Sequence, residues 1–336
     1  MKYIRKKIIK GVAYYYFEFP INIISGKKLF TKYLGKSIPP EDELKTMLNK
    51  FFEEIAEIVI ENISKNIKEY FPPNGIRRIE ECHAWYHLLN HEINSKKFQQ
   101  FKDLFTILFV LNSNRAEGSR VTRKDIESIV KKKRKPKTLL DREIVNSFDA
   151  LNFAFSEKMK WNVASVKKIH KILFKEIDDE IAGKYKTSNN VVGQGGIASI
   201  TTPKEKVKEE MKDLIKWLNK NKKNYPPILA LEFHWRFERI HPFQDGNGRV
   251  GRILLNAWLF NSFFMPVIFF SENHEAYGSC IAASIEGRKN KWGKYFIEQI
   301  KKTTKRIEEY KKEGIIKGGS TSMGHWEIQR DRIRIY

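Results

Sequence analysis

The chain has 336 residues, and 63 Lys and Arg against 40 Asp and Glu leave it at +23 near neutral pH. A composition that is 41% hydrophobic and 13% aromatic excludes a wholly disordered chain. No apolar run reaches the roughly 18 residues that cross a bilayer, which excludes an integral membrane protein. Two cysteines, Cys82 and Cys280, cannot staple a disulfide scaffold, and no apolar stretch with a cleavage site follows the basic start, so the expected compartment is the cytoplasm.

Residues 1–37 are rich in Tyr, Phe, Ile and Lys and are broken at Gly11, Pro20, Ser25-Gly26 and Gly35, which predicts short strands joined by turns in a small basic β-module. After Pro39-Pro40 the apolar positions Leu44, Met47, Leu48, Phe51, Phe52, Ile55, Val59 and Ile63 follow the 3.6 period of a long amphipathic helix, which Pro72-Pro73-Asn74-Gly75 ends. Residues 38–99 are expected to form a helical linker region packed on the core. Nearly everything from about 76 to 310 reads as helix, interrupted by one Gly-rich, Pro-containing segment at 183–203, so the fold class is mainly α. The run Lys317–Gly324 has linker composition, and residues 313–336 are expected to be a flexible tail.

Two side features carry less. His83, His87 and His91 lie on one predicted helix face, but three turns spread them over roughly 12 Å, too far for one metal ion. The run Lys131–Lys137 has nucleic-acid composition and reads equally well as a solvated loop between helices.

Charge, glycine and histidine converge in His241-Pro-Phe-Gln-Asp-Gly-Asn-Gly-Arg-Val-Gly-Arg252. Gly246, Asn247 and Gly248 predict a turn with unhindered backbone N–H groups, and Asn247 is the expected N-cap of a helix whose apolar face is Val250, Ile253, Leu254, Ala257 and Trp258. Such a helix start attracts an anion. Arg249 and Arg252, at i and i+3, add two guanidinium groups able to neutralise a polyphosphate. Asp245 is placed to hold Mg²⁺ or Mn²⁺ across phosphate oxygens, and the imidazole of His241 suits a general base.

This segment resembles the Fic family motif His-x-Phe-x-Asp/Glu-Gly-Asn-Gly-Arg-x-x-Arg at every fixed position, and Ala230-x-x-x-His234-x-x-Phe237-x-x-Ile240 leads into it as in the family. The resemblance, over roughly residues 100–300, implies a Fic-type helical bundle with a short β-hairpin flap, a catalytic domain at 100–312, and transfer of AMP from ATP to a protein hydroxyl with His241 as base. Ser113-Asn-Arg-Ala-Glu117-Gly118 is similar to the inhibitory motif of the Fic subclass with an N-terminal inhibitory helix. On a helix, Ser113 and Glu117 are i and i+4 neighbours with Gly118 as the stop, and the resemblance implies that Glu117 pairs with Arg252 where the ATP γ-phosphate belongs. Gly183-Lys-Tyr-Lys186 with Val191-Val-Gly and Ile200-Thr-Thr-Pro203 resembles the flap, in which Ile197, Ala198, Ser199 and Ile200 hold the target by backbone pairing; Lys186 stands where Arg is usual. Tyr277 matches a position that contacts the nucleotide.

The function expected from these residues is protein adenylyltransferase, with ATP and an unidentified protein target, itself included, as partners and a homodimer among the assemblies considered. Removal of AMP from a modified protein by the same site is the alternative enzyme, and transfer of another phosphate-containing group a weaker one. A different class, a nucleic-acid-associated regulatory protein, rests on the +23 charge, with residues 1–37 meeting a nucleic acid or acidic partner.

Overall fold

Three antiparallel strands begin the chain in the computed structural model, which describes residues 4–23, 26–61, 69–90, 96–132, 136–156, 158–194, 197–262 and 264–312. They are β1 (Ile4–Ile9), β2 (Val12–Ile23) and β3 (Gly26–Gly35), in the order β1-β2-β3. Lys10 and Gly11, both at positive φ, close the first hairpin with two residues, the turn whose twist suits a strand pair. Ile4 lies opposite Phe17, and Phe19 opposite Phe30. Ile4, Phe17, Phe19 and Leu34 are buried, as the two-residue period of a half-covered sheet requires.

That inward face packs on α1 (Glu41–Glu61), whose helical stripe Leu44, Leu48, Phe51, Phe52 and Ile55 is buried against it. Phe17 meets Phe51 edge-on at 5.7 Å and Phe19 meets Phe52 at 5.1 Å. On α2 (Pro73–Asn90), His83 is enclosed by this cluster: its Nδ1 lies 3.0 Å from Glu80, and its ring stacks on Phe264 at 3.9 Å. His83 therefore joins the strand module and α1 to the helical body. Nothing is described of the side chain of His87, and His91 lies outside the described residues, as do 133–135 of the lysine run, the tip 195–196 and the expected tail 313–336.

The body contains α3 (Lys96–Arg115), α4 (Arg123–Lys132), α5 (Leu139–Ala154), α6 (Val163–Phe174), α7 (Val207–Asn221), α8 (Pro226–Ile240), α9 (Asn247–Asn261), α10 (His274–Ile285) and α11 (Lys289–Lys312). A hairpin of β4 (Val191–Gln194) and β5 (Ile197–Ile200) interrupts them, so the chain is mainly helical with two small antiparallel sheets. The sequence predicts one apolar face for α9, and Val250, Ile253, Leu254, Ala257 and Trp258 are buried accordingly. Leu255, Asn256 and Leu259 are buried too, so α9 is an axial helix, wrapped by α3, α5, α6 and α8. Its buried Asn256 amide is satisfied: it accepts from Val267 N–H at 2.6 Å and donates to Val267 C=O at 3.0 Å. No helix among the described residues is long and apolar enough to cross a membrane.

Candidate active site

The site forms where α8 stops and α9 starts. His241 ends α8 in the left-handed region, with φ 49°, and its N–H donates to Phe237 C=O at 2.9 Å. A side chain there costs about 1–2 kcal/mol, so the surroundings must impose the conformation. Two clamps do so. The Asn247 amide accepts from Phe243 N–H at 2.9 Å and donates to Phe243 C=O at 2.8 Å. His170 of α6 stacks on Phe243 at 3.9 Å, accepts from Gly183 N–H at Nδ1, and donates from Nε2 to Asp245 C=O at 3.0 Å. Burial lowers its pKa to about 4, so it stays neutral, with the Nε2 proton set by these partners.

The N-cap differs from the expected one. Gly246, at φ 74°, caps α9, and Asn247 is its first residue. A Cβ on Gly246 would lie 2.4 Å from the Phe174 ring, so only glycine fits the turn, and the Asn247 side chain is committed to the preceding loop.

Arg252, 1% exposed, donates from Nε to Ser113 Oγ at 3.1 Å and from Nη2 to Ser113 C=O at 2.9 Å and Glu117 Oε1 at 2.7 Å. The pairing of Glu117 with Arg252 is thus present, but its local geometry is not the expected helix. α3 ends at Arg115, and Glu117 follows in a tight turn in which its N–H donates to Asn114 C=O and Gly118 takes φ 86°. Burial alone would raise the Glu117 pKa; the Arg252 charge and hydrogen bond outweigh it and hold the carboxyl below its ordinary value. Gly248 leaves the room for this contact, since a Cβ there would sit 2.3 Å from Glu117 Oε1.

Arg249 lies 4.9 Å over the Phe174 ring and 3.5 Å from Asp245. Among the described residues, the buried Nε of Arg249 and Nη1 of Arg252 have no hydrogen-bond partner. Two arginines with spare donors at the start of one helix form an anion cradle. Asp245 is 62% exposed on its side chain, with Oδ1 taking Gly246 N–H at 2.5 Å. No cluster of three or more His, Cys, Asp or Glu suited to a metal occurs among the described residues. A single outward carboxylate beside two arginines with spare donors fits an Mg²⁺-type cation, which keeps most of its waters.

The His241 imidazole is largely buried, and its Nδ1 has no hydrogen-bond partner among the described residues. Burial, and then the charge of Lys186, bring its pKa down to about 4, so it is neutral at pH 7. Below it lies Glu238, 3.8 Å from Nδ1, a residue the sequence did not single out. Burial pushes Glu238 up to about 8 against the opposing charge of Arg252, so its carboxyl is largely protonated at pH 7. Gly251 makes room for it, since a Cβ there would stand 2.5 Å from Glu238 Oε1. Tyr277 is buried, sharing a 2.6 Å hydrogen bond with His234 Nε2, and its ring faces the Arg252 guanidinium at 5.7 Å.

The hairpin is anchored to this loop. Val191 pairs with Ile200, Val192 with Ser199, Gly193 with Ala198 and Gln194 with Ile197. Lys186 donates its N–H to Pro242 C=O at 2.9 Å, and from Nζ to Asn190 Oδ1 at 2.7 Å and Thr201 Oγ1 at 2.8 Å. The lysine that departs from the usual arginine thus ties both hairpin roots to the segment carrying His241.

Residues 160–259 match the family model described as the Fic/DOC family. Over 118 residues the chain is 33% identical to the protein adenylyltransferase fic-1 of Caenorhabditis elegans, covering 34% of this chain and 22% of that protein. It is 43% identical over 77 residues to the probable protein adenylyltransferase aq_aa38 of Aquifex aeolicus (strain VF5), covering 23% of each. With the protein adenylyltransferase Fic of Nematostella vectensis it shares 28% over 178 residues, 50% of this chain and 41% of the other. The chain thus spans under half the length of these relatives. In structure it is similar to a Fic domain containing signaling protein from Bacteroides thetaiotaomicron VPI-5482, with TM-score 0.61, 22% identity and coverage of 72% of this chain and all of that one. It is also similar to a fragment of Fic-1 from C. elegans, with TM-score 0.57, 20% identity and coverage of 81% and 84%. Together with the His241–Arg252 motif and the helix–loop–helix that presents it, these likenesses make residues 160–259 the part of the chain that is similar to the Fic/DOC family.

Proposed function

We propose that the protein is an adenylyltransferase that moves AMP from ATP to a hydroxyl of a protein, itself included, and that Glu117 restrains it. The observation that carries this reading is the 2.7 Å contact between Glu117 and Arg252 within one anion cradle, beside a neutral His241. The backbone N–H groups at Gly246–Gly248 and the guanidinium groups of Arg249 and Arg252 bind the ATP phosphates, and Tyr277 packs beneath Arg252. Asp245 would hold Mg²⁺ or Mn²⁺, which offsets charge on the phosphate oxygens when bound. The target hydroxyl oxygen attacks the α-phosphorus, the bond to the bridging oxygen breaks, and pyrophosphate leaves. His241 takes the hydroxyl proton. The hairpin Ile197–Ile200 holds the target segment through backbone pairing, which needs no fixed side chains and so accepts a range of sequences.

AMP removal is the second reading, favoured by a Glu117 that stays ionised beside the cradle, where it can orient a water molecule. Intact-mass analysis after incubation with ATP and Mg²⁺ separates the two. Gain of one AMP by the protein or a lysate target, lost in His241→Ala, supports transfer, while loss of AMP from a pre-modified protein without any gain supports removal.

A further inference from the structure

The amino-terminal sheet has a second face that the transfer chemistry does not use. Of the eight lysines and arginines between residues 4 and 36, three, Arg5, Lys7 and Lys27, fall on the register of this face, with one acid, Glu18. Strand alternation puts Phe17 and Phe19 inward on α1 and turns Arg5, Lys7, Tyr14, Tyr16, Glu18 and Tyr33 outward. Arg5 stands opposite Tyr16, Tyr16 opposite Tyr33, and Lys7 opposite Tyr14. Lys7 Nζ lies 4.7 Å over the Tyr16 ring, and Tyr33 is 47% exposed. Lysines on the edge strands β1 and β3 would be explained by protection against edge pairing. That explanation leaves out the tyrosines, two of which occupy the central strand.

We propose that this outward face is a binding surface for duplex DNA, set into the major groove. The major groove, about 12 Å wide, admits a two-stranded ribbon, here β1 and β2 with Arg5, Lys7, Tyr14 and Tyr16. The deep, narrow groove of duplex RNA would not admit them. Side chains stand perpendicular to a sheet, so the phenol tips are outermost. The tyrosine rings lean on one another, Tyr16 on Tyr33 at 5.3 Å and Tyr14 on Tyr33 at 6.3 Å, each pair tilted. Rings tilted at 42° and 50° to one another present no flat platform to an unpaired base and suit hydroxyl contacts to phosphates and base edges. Glu18 tempers the charge, lying 3.6 Å from Arg5 and 3.3 Å from Lys7. This assignment is independent of the transferase reading.

The test is fluorescence anisotropy of the full-length protein with a labelled mixed-sequence duplex and the corresponding single strand. If about three phosphates are neutralised, the duplex affinity falls with a log–log salt slope of about −2.7, a loss of about 40-fold between about 50 and 200 mM salt. The Arg5→Ala/Lys7→Ala pair should make that slope shallower by about 2, Glu18→Gln should tighten binding, and Tyr33→Ala should weaken it with little change of slope. Thermal melts establish that each variant is folded. Absence of duplex binding at low salt would overturn the proposal. So would equal or tighter binding of the single strand, or an equal loss from Lys216→Ala/Lys220→Ala on the exposed side of α7, which would mark a nonspecific polycation.

Discussion

Replacing Glu117 by glycine is expected to raise catalysis, the reverse of what loss of a charged active-site residue ordinarily does. Glu117 Oε1 takes one charge-assisted hydrogen bond, 2.7 Å long, from an arginine that is 1% exposed. Such a bond contributes about 1.5–3 kcal/mol, which a γ-phosphate must outcompete to reach Arg252. Removing the competitor should raise productive turnover by about 10- to 150-fold at equal ATP occupancy. Arg252 keeps both bonds to Ser113, so the variant should still fold, at a cost of about 1–3 kcal/mol. The assay is AMP incorporation by wild type, Glu117→Gly, Arg252→Ala and the double variant. Because both residues act through one contact, Glu117→Gly should add little in the Arg252→Ala background. Equal or lower incorporation by folded Glu117→Gly would refute the reasoning.

Other residues make separate expectations. Since His241 is neutral down to about pH 4, kcat/KM should not fall by half near pH 6.5 as for an ordinary histidine base, and a half-loss there would contradict the burial argument. Glu238 binds its proton more tightly in the fold than in the unfolded chain, so wild-type stability should fall as pH rises from about 4.5 towards 8. Glu238→Gln should flatten that part of the thermal-melt profile, and an unchanged profile would show that Glu238 is ionised throughout. Asn247→Ala leaves the N–H and C=O of Phe243 without partners and should cost about 2–4 kcal/mol in urea unfolding; a loss below about 0.5 would contradict the clamp. Asp245→Ala should abolish the Mg²⁺ dependence together with transfer, and Mg²⁺ binding of wild-type affinity by the ATP complex would remove Asp245 as the ligand.

The parts of the site legible in the sequence are those carried by neighbouring residues. His241 to Arg252 are consecutive, so their types and spacing already describe a turn, a helix start and two cations. The strands of residues 4–35 were largely readable, because alternation and the breaks at Gly11 and Ser25-Gly26 are local signals, but Pro20, expected as a further break, lies within β2 and is paired with Leu29. Glu238 was not, although it lies one turn before His241. Between Arg236 and Arg239 it reads as a solvated helix carboxylate, and only the close approach of α9 at Gly251 buries it. His170 was missed for a similar reason: its partners Asp245 and Gly183 lie far along the chain, and its own surroundings read as ordinary helix. The spacing of Ser113 and Glu117 suggested a continuous helix, but the chain closes through Glu117 N–H to Asn114 C=O and turns at Gly118. The ion pair survives that difference because a long carboxylate side chain reaches Arg252 from the turn.

The central claim, transfer of the α-phosphoryl group with its nucleoside by His241, is tested most directly with two labels. Glu117→Gly protein is incubated with Mg²⁺ and ATP labelled at either the α- or the γ-phosphate, beside the same protein carrying His241→Ala. The account predicts protein-bound label from the α-position alone, lost with His241. Protein-bound label from the γ-position, or α-label undiminished in the His241→Ala protein, would contradict it.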